Sequence, residues 1–270
     1  SGASNGTFAP VSGSGTTYTA VLTPTADTAS GNANLCLGPG AVSDAGGNAM
    51  TAWSSILNMA VDTRLPTVTA FTSSTSNGTY ASGSTVAISA TTSEAIQSGN
   101  TITVTLDTGA TVTLTAASAS TSLSGTYTVG ASHTSSDLTV SSFTIGTVLD
   151  TAGNAMTSTT VPSGSSNIAG ASAIAIDGIA PTVTAFSSST ADGTYAIGAS
   201  INISATASET IQSGNTLTVS LNSGASVTLT AASAGTTLTG TYTVASGNST
   251  SDLTVSSFTI GTVLDTAVTQ

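Results

Sequence analysis

Through much of the chain, hydroxyl and aliphatic residues alternate. Thr101-Ile-Thr-Val-Thr-Leu106 and Thr111-Val-Thr-Leu-Thr115 do so over whole segments, Ser84-Thr-Val-Ala-Ile-Ser89 and Leu138-Thr-Val140 over shorter ones. A period of two sets Ile, Val and Leu on one face of an extended segment and Thr on the other. The abundance of β-branched side chains favours strand over helix. Asn77-Gly78, Ser98-Gly-Asn100, Asp107-Thr-Gly109 and Ser124-Gly125 read as turns between these segments. No window holds a helical period with caps. Strands about every 8–12 residues, punctuated by Gly and Asn, predict an all-β sandwich. Its inward positions are expected to be Val68, Phe71, Tyr80, Val86, Ile88, Ile102, Val104, Leu106, Val112, Leu114, Tyr127, Val129, Leu138, Val140, Phe143, Ile145, Val148 and Leu149.

The alternation recurs. Asp62-Thr-Arg-Leu-Pro-Thr-Val-Thr-Ala-Phe71 returns as Asp177-Gly-Ile-Ala-Pro-Thr-Val-Thr-Ala-Phe186, an offset of 115 residues. The same offset carries Tyr80 onto Tyr195, Tyr127 onto Tyr242 and Asp137 onto Asp252 with no gap. Two units this alike share one fold, and the spacing suits a sandwich of about 100 residues with a linker. The start of the chain reads as a third, diverged unit: Asp44-Ala-Gly-Gly-Asn-Ala-Met50 mirrors Asp150-Thr-Ala-Gly-Asn-Ala-Met156, and Tyr18 stands where Tyr127 does. The expected division is a partial unit over 1–61, a complete unit over 62–176, and a unit over 177–270 that lacks its last strand. Either the chain is a window on a longer array, or its incomplete last unit accepts a strand from the first unit of the next molecule.

Composition narrows the function. Only 5% of residues are charged, and the formal net charge is −11 with Arg64 the one residue among Lys and Arg. A chain with a single cation cannot neutralise the several phosphates such partners present, which argues against nucleic acid and anionic membrane. No run approaches the ~18 apolar residues of a membrane span. Cys36 stands alone and forms no intrachain disulfide; it reads as a small apolar strand residue. His133 is the only histidine, its counterpart is Asn248, and its Gly/Ser/Thr surroundings read as an exposed loop. No nucleophile elbow, zinc spacing or phosphate loop is visible, so no enzymatic activity is expected. Trp53 reads as packing rather than a sugar platform.

Asp-x-x-x-Pro-Thr-Val at Asp62 and Asp177, Ser93-Glu94-Ala-Ile96, and Leu149-Asp-Thr-Ala-Gly-Asn-Ala155 resemble the bacterial immunoglobulin-like tandem repeats of large surface adhesins and biofilm-associated proteins. The resemblance implies sandwiches strung end to end outside the cell, often with calcium at their junctions. Neighbouring repeats, or identical subunits head to tail, are the implied partners, with a cell surface or extracellular polymer beyond them.

Calcium takes six to eight oxygens, carboxylates included. In so uncharged a chain, acids that recur at one repeat position are the ones to examine: Asp62 and Asp177 before the first strand, Glu94 and Glu209 in a loop after the second, Asp150 and Asp265 opening the Asp-Thr-Ala turn. These six are the candidate metal ligands, at domain junctions. The alternative is that Asp62 and Asp150 cap turns through their own backbone. Asp137 and Asp252 read as turn residues. Asp107 becomes Asn222, and Asn77 becomes Asp192, so neither position needs its charge in both units. The leading functional expectation is a non-catalytic spacer in a surface adhesin. The alternatives are a filament or surface-layer subunit joined by strand complementation, and a glycan- or ice-binding module using the ranked threonines.

Overall fold

The computed structural model describes residues 5–54 and 56–267; residues 1–4 and 268–270, the outermost parts of the first and third units, lie outside the described residues. The fold is all-β. Residues 5–61 form three separate two-stranded pairs from β1 (Gly6–Phe8), β2 (Ser12–Ser14), β3 (Thr17–Thr19), β4 (Leu22–Pro24), β5 (Gly31–Leu35) and β6 (Leu57–Val61): β1 with β4, β2 with β3, β5 with β6. Only Ala33 and Val61 are buried among the described hydrophobic residues of this region. Trp53 is exposed and does not pack as expected, and Tyr18 is exposed where Tyr127 is buried. Their short hairpins, rich in Gly and Ser, bring no second layer to cover an aromatic ring. Cys36 lies just past β5, half-buried, rather than within a strand.

The second unit contains β7 (Val68–Thr72), β8 (Gly78–Ala81), β9 (Thr85–Ile96), β10 (Thr101–Leu106), β11 (Thr111–Thr115), β12 (Ser120–Thr128), β13 (Thr134–Ser135) and β14 (Val140–Ile145), then a 3₁₀ turn (Gly164–Ser166), α1 (Ile168–Ala171) and β15 (Ile174–Asp177). Six strands follow the order β14-β10-β11-β12-β9-β7. The sheet turns over between β11 and β12, which share only the pair Thr115↔Ser124. Its two halves therefore face each other, and Phe71 of β7 meets Phe143 of β14 edge-on with ring centroids 5.6 Å apart. Alternation holds along β10, where Ile102, Val104 and Leu106 are buried and the intervening Thr side chains are not. A second, three-stranded sheet, β13-β15-β8, closes the side, with β15 running parallel to β8.

The third unit repeats the layout with β16 (Val183–Ser187), β17 (Ser200–Ile211), β18 (Thr216–Leu221), β19 (Ser226–Thr230), β20 (Gly235–Thr243) and β21 (Val255–Thr262), in the order β16-β17-β20-β19-β18-β21. Phe186 and Phe258 form the matching edge-on pair at 5.4 Å.

Several positions differ from expectation, each for a local reason. Ser124-Gly125 is not a turn but lies inside β12. A Cβ at Gly125 would sit 2.5 Å from the Thr113 carbonyl, and at Gly240 2.5 Å from that of Thr228. Glycine is there because two backbones approach closely. Ile145 and Leu149 are half-buried, at the ends of their segments. Ile96, Leu123, Met156 and Ile168 belong to the core without showing a period of two around them, and Ile174 and Ile176 alternate only over the four residues of β15. In the third unit Phe258, Ile260 and Leu264 are exposed, and among the described residues none lies over them as Met156–Asp177 lies over Phe143.

That segment is anchored by Asn167, which is buried. Its Oδ1 accepts from the Val140 and Ile168 N–H groups, and its Nδ2 donates to the Val140 and Pro162 carbonyls. Asn167→Ala strands the Val140 groups in an apolar setting and is expected to cost about 2 kcal/mol. Urea unfolding of the second unit should show it as a lower midpoint at constant slope. A loss below about 0.5 kcal/mol would mean the segment is not held there.

Candidate metal centres

Three separate segments of the chain converge on one place in each of the second and third units. Asp62 sits between β6 and β7, Glu94 near the end of β9, and Asp150 in the loop after β14. One carboxylate oxygen from each lies within 4.8 Å of the others, and Asp177, Glu209 and Asp265 form the same group in the third unit. All six candidate residues are thus brought together, three by three. Asp137 and Asp252 belong to neither group.

Local bonding explains the convergence. The Thr67 N–H donates to Ser93 Oγ at 3.0 Å while the Ser93 N–H returns a bond to the Thr67 carbonyl, tying the entering chain to the end of β9. Thr182 and Ser208 repeat this. Ile96 bridges to Asp150, the Gln97 side chain donates to the Asp150 carbonyl at 2.9 Å, and that of Asn100 to the Leu149 carbonyl at 2.7 Å. Gln212 and Asn215 do likewise to Asp265 and Leu264. These Gln and Asn residues position the site, and sequence reasoning passed over them. Their recurrence at the 115-residue offset was the available signal. Glu94 lies in a strand rather than in the expected loop, because β9 runs on to Ile96.

The carboxylates differ in what they already hold. Asp150 is buried, and its Oδ1 accepts from the Ala152, Gly153 and Asn154 N–H groups at 2.8, 2.6 and 2.8 Å. Its Oδ2 accepts from Asn154 Nδ2, which also donates to the Asp62 carbonyl at 3.1 Å. Burial pushes its pKa up, but the Asn154, Gly153 and Ala152 donors outweigh it and hold the carboxyl below its ordinary value. Asp44 builds the same turn on the surface, accepting from Gly46 and Asn48. Asp62 and Asp177 each accept one bond from two residues on, from Arg64 at 3.2 Å and Ile179 at 3.3 Å. Both therefore cap turns as well as facing the cluster.

Glu94 is the contrast. Its Oε1 is buried with no hydrogen-bond partner, as is Oε1 of Glu209. Burial, then the neighbouring Asp62 and Asp150 carboxylates, pushes the Glu94 pKa up, with the Arg64 charge opposing. Burial, Asp177 and Asp265 do the same to Glu209, where Ile179 replaces Arg64. An orphaned, buried carboxylate oxygen facing two more carboxylates fits a hard divalent cation taken by oxygen ligands.

The other singled-out polar residues are structural. His133 is half-buried rather than exposed; its Nδ1 accepts from the Gly130 N–H at 3.0 Å and lies 2.9 Å from the Tyr127 hydroxyl. Asn248 Oδ1 makes the same two contacts, with Ala245 and Tyr242. One acceptor atom is what the position needs, and both residues supply it. Asp107 accepts from Ser135 and Thr139, and Asn222 accepts from Thr254 and donates to Thr250 and Asp252, so the charge is dispensable there.

Facing layers of antiparallel strands joined at their edges define an immunoglobulin-like β-sandwich protein. Residues 2–61 match the family model of the bacterial Ig-like domain. Such domains are generally structural rather than catalytic, and they often occur in extracellular surface proteins. No curated protein matches the chain. Among the described residues no helix is long and apolar enough to cross a membrane.

Proposed function

We propose that this chain is a load-bearing spacer segment of a microbial surface adhesin, working outside the cell, with calcium held at Asp62, Glu94 and Asp150 and again at Asp177, Glu209 and Asp265. The observation that carries the spacer reading is the parallel pairing of β8 with β15. The register Ile174↔Gly78 through Asp177↔Ala81 joins a strand near the start of the unit to its last strand. Tension entering before β7 and leaving after β15 pulls these two strands past each other. Their hydrogen bonds are then loaded together, in shear, instead of opening one at a time. The acidic groups lie where one unit gives way to the next, so a cation there would tie the linker Asp to the end of a strand and to a loop of the unit it enters.

The third unit is an internal control, because Gly193–Ala196, the counterpart of β8, forms no strand. Single-molecule stretching of the chain should show the second unit unfolding at distinctly higher force than the third, each event releasing on the order of 300 Å of chain. Equal, low forces for the two units would sink the shear argument.

A further inference from the structure

An endopeptidase directed at Arg or Lys finds one residue of its kind in this chain of 270, Arg64. It stands in the linker between the first and second units, in a run from 62 to 67 that is neither strand nor helix. Its side chain is 49% exposed, and the Leu65 that follows is 46% exposed. The guanidinium Nε lies 3.8 Å from Asp27 Oδ1, but the Asp27 side chain is 85% exposed, and so solvated a pair holds the arginine only weakly. In the next linker Ile179 and Ala180 take these two places, and no such enzyme recognises them.

Exposure alone does not make a substrate. A protease cleft takes an extended run with several residues on each side of the bond, pairing with its backbone as an added strand. Here the run is pinned at both ends. Upstream, the Thr63 N–H donates to the Thr28 carbonyl, the Thr28 N–H to Thr63 Oγ1, and Thr63 Oγ1 to the Thr25 carbonyl. Downstream, Pro66 is buried and Thr67 exchanges two bonds with Ser93. Only residues 64–66 lie between the pins, too short a stretch to fill a cleft. Asp62 is the pin that a ligand can strengthen. Its Oδ1 accepts the Arg64 N–H, its carbonyl accepts Asn154 Nδ2, and its carboxylate meets those of Glu94 and Asp150. A cation on these three ties Asp62 to the body of the second unit. Without one, three carboxylates crowd together and the buried Glu94 Oε1 has no partner.

We propose that the Arg64–Leu65 bond is a processing site for an arginine-directed endopeptidase, shut while a divalent cation sits at Asp62, Glu94 and Asp150 and open once it leaves. Hydrolysis adds one water across the bond, leaving a carboxylate on Arg64 and a free amine on Leu65, and it severs the chain between the first and second units. The gate rests on the metal reading of these three acids; the site itself does not. An opening wide enough to free Asp62 expels the cation. At free ion about 100-fold above the dissociation constant, the open population, and the cleavage rate that follows it, therefore fall about 100-fold.

The test is digestion of the whole chain by trypsin, in calcium and in chelator, with a synthetic peptide of residues 58–70 in the same tube to report the activity of the protease itself. In chelator the chain should be cut once, giving one fragment that ends at Arg64 and one that begins at Leu65. Calcium should slow that cut about 100-fold relative to the peptide. Glu94→Gln should be cut equally fast in both conditions. Ile179→Arg, at an exposed position, should create a second cut in the next linker, gated in the same way by Asp177, Glu209 and Asp265. A chain that resists in chelator while the peptide is cut overturns the site. Equal rates in calcium and chelator, with calcium still raising the melting midpoint, overturn the gate and leave the metal reading standing. Equal rates with an unmoved midpoint overturn both.

Discussion

Asp150→Ala is expected to destabilise the second unit by about 3–5 kcal/mol, a large share of the stability of an ordinary domain. One buried oxygen satisfies three consecutive N–H groups, and the other holds the Asn154 side chain that reaches the Asp62 carbonyl. Alanine leaves those donors without their acceptor at a buried position. Hydrogen exchange resolved by segment would assign the loss to residues 67–177. Asp44→Ala removes the same turn chemistry at an exposed site and should move its own segment far less. A cost under about 1 kcal/mol for Asp150→Ala would show that solvent replaces the carboxylate without penalty.

The same residue sets one side of a pH profile, and Glu94 sets the other. Asp150 is held below its ordinary 3.8, so its contribution is present above that value and is lost as pH falls through the lower folded one. Glu94 is raised above its ordinary 4.5, so its contribution is present below 4.5 and is lost as pH rises through the higher folded value. In chelator, stability of the second unit should therefore peak on the acid side of neutrality and decline toward pH 7. A profile flat from pH 4 to 7 in chelator would contradict the crowding of the three carboxylates.

How much of this could be read from the residues depends on what each one senses. The strands β10 and β11 were legible because each side chain answers to one neighbour sheet, and alternation records that directly. The clusters were legible in composition: with few charges in the chain, a recurring acid is conspicuous even though its nearest partner in the cluster lies 32 or more residues away. Gly125 was not legible, because a turn and a close backbone approach ask for the same residue. Ile168 was missed because it lies in a short helical turn of irregular surroundings, and Ile174 and Ile176 because β15 is only four residues long, too short for its alternation to stand out. The exposure of Phe258 could not be read at all from its own neighbourhood, which is the same as that of Phe143. It is set by whether another segment lies over it.

Calcium is expected to raise the melting midpoint of the chain by roughly 10 °C when free ion exceeds the dissociation constant about 100-fold, since a ligand bound only by the folded state then adds about 2.7 kcal/mol per site. The stabilisation should be larger at pH 7 than at pH 4, where the raised Glu94 and Glu209 carboxyls keep their protons and a cation must displace them. Glu94→Gln separates a cation site from a mere acidic patch. It removes one of three crowded charges, so in chelator the second unit should be no less stable than before, and it should lose its calcium response. The third unit, with Glu209 intact, should keep its own response, and Glu209→Gln should reverse the pattern. Calorimetry in calcium and in chelator, with exchange measured by segment, reads both units at once. A midpoint unchanged within about a degree for the unaltered chain would remove calcium from both sites, because linkage leaves bound ligand no way to be neutral. A response surviving in the double Gln variant would move the ion elsewhere on the molecule. The repeat makes this comparison sharper than any single site could: two clusters of the same three residues, one beside Arg64 and one without it, must give the same kind of answer in one molecule.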